Sequence, residues 1–145
     1  INLSVIINRK KEINYGIKNI STYVKFAKRV KSSKKKLRKI FLKLRHKKKD
    51  IIGYGVTAKS TTILNYCDIG KKFISYFVDT TKDKQNKYTP GMKIPIYKYP
   101  GFIEKNIDYI FLGAWNFKEE IFKKEKKFIK NGGKFIIHTP IPKII

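Results

Sequence analysis

Gly53 and Gly55 stand two residues apart, directly after the apolar Ile51-Ile52, and Lys59 follows four residues later. These types at this spacing build a phosphate site out of backbone. The glycines let the chain turn sharply and approach a diphosphate, and a helix opening after them turns its free N–H groups and positive dipole end toward the anion. Lys59 adds a mobile positive charge, and Tyr54 and Ala58 complete the loop. About 25 residues on, the apolar run 73–78 ends in Asp79, where a dinucleotide fold places an acid for ribose hydroxyls. Two departures matter: Ala58 replaces the third glycine of the dinucleotide fingerprint, and the same alanine replaces the glycine before the lysine of a phosphate-loop NTPase, whose backbone geometry glycine meets best.

Such residues work only if regular elements hold them. Residues 51–54 read as a buried strand, 57–68 as an amphipathic helix stopping at Gly70, and 73–79 as a second strand, which is a βαβ spacing. Pro90-Gly91 indicates a type II turn within Tyr88-Thr89-Pro90-Gly91, and Ile94-Pro95-Ile96 is extended. Residues 100–105 read as a short helix or irregular crossover. Residues 108–114 form an apolar strand, a helix beginning at Trp115-Asn116-Phe117 turns Ile121, Phe122 and Phe128 inward, and 134–140 form a last strand. Strand and helix periods alternate through 50–139, so the expected fold is α/β, a Rossmann-like parallel sheet with flanking helices. Ligands of such sheets lie at the carboxyl ends of the strands. That edge collects Gly53, Tyr54, Gly55, Asp79, Trp115, Asn116 and His138-Thr139, with Tyr88 placed to stack on a base or to hold its turn. Trp115 reads equally as packing, Asn116 as a helix cap, and His138, with no carboxylate or serine in range, as structural.

Upstream, apolar residues at Tyr23, Ala27, Val30, Leu37, Phe41 and Leu44 step by three and four except at Lys34, so 20–44 reads as one long helix with a narrow seam. At 1.5 Å per residue it would reach about 40 Å, which suits a connector. The division expected is 1–18 as the end of a preceding domain, 19–49 as a basic linker helix and 50–145 as the Rossmann-like domain. Residues 1–8 read as that preceding domain's last strand. The only methionine is Met92, which makes the chain the expected tail of a longer polypeptide.

With 41% hydrophobic and 14% aromatic residues, wholesale disorder is excluded despite 31% charged residues. No apolar run approaches the roughly 20 residues that cross a bilayer, so no membrane partner is expected and the chain reads as cytoplasmic. Cys67, the one cysteine, reads as a small buried side chain, and no metal cluster is expected. The net charge of +25 favours polyanions at low salt, but only Arg9, Arg29, Arg38 and Arg45 are arginines among 35 basic residues. Arginine is the residue of bidentate phosphate and guanine contacts, so solvated lysine faces are the plainer reading. A basic nucleic-acid-binding module working through the lysine-rich 28–49 stays as an alternative, as does an NAD-dependent oxidoreductase domain, which shares the loop and Asp79 but has no Tyr-x-x-x-Lys-type pair.

Seven motifs in order, Gly53-Tyr54-Gly55-Val56-Thr57-Ala58-Lys59, Leu64-Asn65-Tyr66-Cys67, Val78-Asp79, Lys84-Gln85, Tyr88-Thr89-Pro90-Gly91, Ile94-Pro95-Ile96 and Ala114-Trp115-Asn116, resemble the C-terminal domain of the sugar C-methyltransferase family. The resemblance covers nearly the whole chain. It implies an enzyme that moves a methyl group from S-adenosylmethionine to a carbon of a nucleotide-linked keto-deoxysugar, with the methyl-donor domain and a zinc-binding region upstream of this segment. It further implies that the Gly53 loop and the neighbouring strand ends hold part of a nucleoside-diphosphate sugar, that the upstream domain is a partner, and that this fragment alone is inactive. Val56, Thr57 and Ser60 depart from the family pattern. On this view Gly55→Val should abolish sugar-nucleotide binding with the fold largely intact, and Lys59→Ala should cost on the order of 1 kcal/mol.

Overall fold

The structure is a computed structural model that describes residues 3–100 and 107–145, so the crossover expected at 100–105 lies almost wholly outside the described residues. The chain divides into two compact units, Ile1–Ser33 and Lys34–Ile145.

The first unit is helical, with α1 at Leu3–Tyr15 and the first half of α2, which runs Ile20–His46. The strand expected at 1–8 is corrected: from Leu3 onward the segment is helix. A lone strand leaves its backbone groups without partners, whereas a helix closes its hydrogen bonds locally. Between the helices Gly16 takes φ +73°, and the Thr22 hydroxyl donates to the Gly16 carbonyl at 2.9 Å.

The second unit is a seven-stranded sheet. Its strands are β1 (Ile51–Tyr54), β2 (Phe77–Asp79), β3 (Lys87–Tyr88), β4 (Pro95–Lys98), β5 (Tyr109–Leu112), β6 (Lys134–Ile137) and β7 (Lys143–Ile144), in the order β3-β4-β2-β1-β5-β6-β7. The five central strands are parallel, and β3 and β7 close the edges antiparallel. Counted among themselves the parallel strands run 3-2-1-4-5, the doubly wound order whose reversal lies between β1 and β5. The expected α/β class holds. The two edge strands are two residues each, too short for a period to announce them.

Side chains of a strand alternate between faces, and a strand covered on both reads as a continuous apolar run. Ile51, Phe77, Phe111 and Ile136 point to one face, where Leu37, Phe41 and Leu44 of α2 and Leu64 and Cys67 of α3 (Ala58–Cys67) cover them. Ile52, Val78, Ile110 and Phe135 point to the other, with Ile121 of α4 (Lys118–Lys124) and Phe128 of α5 (Lys126–Lys130). The long helix is therefore more than a connector, since its last three turns are part of the core. Phe41 and Phe111 are fully buried with ring centroids 5.9 Å apart, and truncating either would cost about 3–5 kcal/mol.

Candidate functional site at the carboxyl edge of the sheet

β1 ends at Tyr54, and the chain then turns through Gly55, at φ +75°, into α3. Helix α3 starts where it does because Thr57 and Ser60 form a reciprocal cap: the Thr57 hydroxyl accepts from the Ser60 amide at 3.1 Å, and the Thr57 amide donates to the Ser60 hydroxyl at 3.0 Å. Two of the residues that depart from the family pattern are thus the ones that begin the helix. The Thr57 hydroxyl also lies 3.2 Å from the Gly113 carbonyl, tying the helix start to the end of β5.

Most loop amides are spent inside the protein. Gly55 N donates to the Val78 carbonyl at 2.8 Å, and Val56 N donates to Asp79 Oδ2 at 2.7 Å. The amides of Ala58 and Lys59, in the first turn of α3, have no hydrogen bond among the described residues, as the start of a helix leaves them. Lys59 Nζ lies 5.8 Å from the centre of the Trp115 ring, so the ammonium, the open amides and the one tryptophan share a concavity with Asn116. Asn116 is exposed and caps no helix.

Asp79 is buried. Besides Val56 N it accepts from Thr81 N at 2.8 Å, and Lys84 Nζ stands 3.5 Å away while donating to the Val56 carbonyl at 2.7 Å. Burial works to raise the Asp79 pKa, but the Thr81 and Val56 amides, with Lys84 behind them, outweigh it and hold the carboxyl below its ordinary value. Its first task is to hold the glycine loop. Carboxylate lone pairs facing the cleft remain the only route by which it reaches a ribose.

Two glycines work differently from the loop reading. Gly53 lies inside β1 with the Phe77 ring packed where a Cβ would sit, so it serves packing and does not reach the edge. At Gly55 an added Cβ would come within 2.5 Å of the Ala114 Cβ at a φ that L residues rarely adopt. The expectation that Gly55→Val leaves the fold largely intact is therefore corrected, because the space in question is filled by Ala114. Gly113, which the motif reading passed over, presses on the Gly55 carbonyl in the same way. A strand-end glycine carries no sequence signal that distinguishes it.

The remaining expected residues are spread. Tyr88 is exposed on edge strand β3, lining a groove with Lys84 and Lys87 that runs up to Val56, Thr57 and Ala58 of the glycine loop. His138 is buried behind the edge, stacked on Phe111 at 5.5 Å and edge-on to Trp115, with neither ring nitrogen hydrogen-bonded among the described residues. Burial pushes its pKa down to about 4, so it is neutral at physiological pH. Beneath the edge, Tyr99 donates to Glu125 Oε1 at 2.7 Å, and the Tyr54 and Tyr99 rings pack at 5.2 Å. Among the described residues no three His, Cys, Asp or Glu side chains converge to hold a metal, and no helix is long and apolar enough to cross a membrane.

A family model described as the C-methyltransferase C-terminal domain matches residues 2–142. The chain is 36% identical over 134 residues to the C-methyltransferase NovU of Streptomyces niveus, an alignment that covers 92% of this chain and 32% of that protein.

Proposed function

The chain belongs to the C-methyltransferase C-terminal domain family, and from that premise we propose that it holds a nucleoside-diphosphate-linked keto-deoxysugar for carbon methylation. The methyl donor S-adenosylmethionine and a zinc ion belong, on this reading, to polypeptide outside the segment. The chain spans about a third of the relative's length, which leaves room for both.

One observation carries the substrate reading. The open amides of Ala58 and Lys59, the Lys59 ammonium and the Trp115 ring meet in one concavity at the carboxyl edge of the sheet, where donors and dipole favour a diphosphate. On this reading the segment supplies no catalytic base. Its part is anchoring: binding energy gained on the remote diphosphate is available to hold the reacting carbon in an attack geometry. S-Adenosylmethionine, when bound, supplies the methyl group.

Trp115 is the only tryptophan and lies in that concavity, so its fluorescence reports occupancy. Titration with pyrophosphate and with nucleoside-diphosphate sugars should give a saturable change that weakens with salt. A folded protein showing neither a fluorescence change nor a calorimetric heat with either ligand would overturn the reading.

A further inference from the structure

A second cleft opens beside the first, with a volume of about 300 Å³, between the loop after β2 and the start of α4. It lies next to the reversal of strand order, where Gly55 after β1 meets Ala114 after β5, the place where doubly wound sheets take their ligands. Its floor is Tyr54. Below that residue Tyr99 donates to Glu125 at 2.7 Å, and the Tyr54 ring packs on the Tyr99 ring at 5.2 Å. The Lys124 ammonium sits 4.7 Å from the centre of the Tyr99 ring, and Glu125 is buried. The floor is therefore packed on a ring that is itself held by the Glu125 carboxylate.

The wall differs. Phe117 is 61% exposed at the rim of both this cleft and the Trp115 concavity. A large aromatic ring left in water at the rim of two mainly apolar hollows forgoes the burial that a covering ligand would give it. Thr80, Thr81 and Asp79 line the same cleft, a run of hydroxyl and carboxylate groups suited to ribose, beside Lys84, Glu120 and Lys124.

The geometry points to this cleft as the nucleoside subsite, with the base stacked on Phe117, the ribose against Thr80 and Thr81, and the diphosphate leading toward Ala58 and Lys59. This rests on the diphosphate reading given above. Tyr88 is the competing platform. It lies on edge strand β3 in a groove that also reaches Thr57 and Ala58, but away from the strand-order reversal, so a base there would leave the Tyr54 cleft empty. A stacked ring accepts any base, and the subsite is predicted to take pyrimidine and purine nucleotides alike.

The test compares pyrophosphate, uridine diphosphate and adenosine diphosphate on the wild type, Phe117→Ala and Tyr88→Ala, read by calorimetry and Trp115 fluorescence. Both substitutions are at exposed side chains, and circular dichroism checks the fold. Both nucleotides should bind more tightly than pyrophosphate. Phe117→Ala should weaken the nucleotides about tenfold more than it weakens pyrophosphate, the loss of one stacking contact. Tyr88→Ala should change neither. Pyrophosphate and nucleotides binding equally, or the tenfold loss appearing in Tyr88→Ala instead, overturns the subsite and leaves the diphosphate reading standing. No binding of any of the three overturns both.

Discussion

The carboxylate of Asp79 accepts the Val56 amide at 2.7 Å, joining the end of β2 to the turn that leaves β1. Lys84 takes the carbonyl of the same residue at 2.7 Å, so Val56 is held on both sides by side chains from the β2 loop. An acid at this point of a doubly wound fold is usually read as a ribose contact. Here it is first the clamp that gives the glycine turn its shape, and several consequences follow from the clamp and its neighbours.

Asp79→Ala leaves the Val56 and Thr81 amides without their acceptor in a buried setting, which costs roughly 1–3 kcal/mol per unsatisfied group. Urea denaturation should show a loss of that order. The carboxyl is held below its ordinary value of 3.8, so its contribution is complete above that pH and disappears as pH falls through the depressed folded value. Acid unfolding of Asp79→Asn should accordingly be shallower below about pH 4 than in the wild type.

Gly55→Ala should destabilise the protein by about 1–3 kcal/mol, through a positive φ and contact with Ala114. Pairing it with Ala114→Gly should recover part of the loss, because the second change vacates the space the new methyl needs. Thermal denaturation of the two single variants and the double variant separates strain from contact. If the double variant were no better than the single, the whole cost would lie in the backbone.

His138 is neutral in the folded state down to about pH 4, but the unfolded chain takes up the proton near 6.5. The folded pKa is the lower one, so stability is full above 6.5 and falls as pH drops toward 4, by a total on the order of 3 kcal/mol. His138→Phe keeps a ring on Phe111 and removes two buried nitrogens without partners. It should raise the melting temperature at pH 5 more than at pH 8; an equal rise at both would show that the histidine does not titrate in this window.

Lys59→Ala should weaken pyrophosphate and nucleotide binding together by on the order of 1 kcal/mol, and the deficit should shrink as salt is raised. The ammonium is a screened charge beside Trp115, while the Ala58 and Lys59 amides remain in the variant. Calorimetry at two ionic strengths reads both effects.

Much of this fold is legible in local pattern. Ile51-Ile52, Phe77-Val78 and Ile110-Phe111 announce strands buried on both faces because adjacent side chains point to opposite sides, and the step of three and four from Leu37 to Leu44 announces the helix that covers one of them. The turn at Gly55 and the start of α3 are equally local, since a positive φ and a Thr57–Ser60 cap involve residues within one turn of each other. Tertiary structure decided the rest. That Ala114 fills the space beside Gly55, that Asp79 spends its oxygens on Val56 and Thr81, and that Phe117 comes to stand beside Tyr54 depend on which strands become neighbours, and pairing across the chain leaves no periodic trace in sequence. The opening residues mark the same boundary: Val5, Ile6 and Ile7 are β-branched and suggest a strand, yet a strand exists only with a neighbour, and here the backbone closes its hydrogen bonds within a helix.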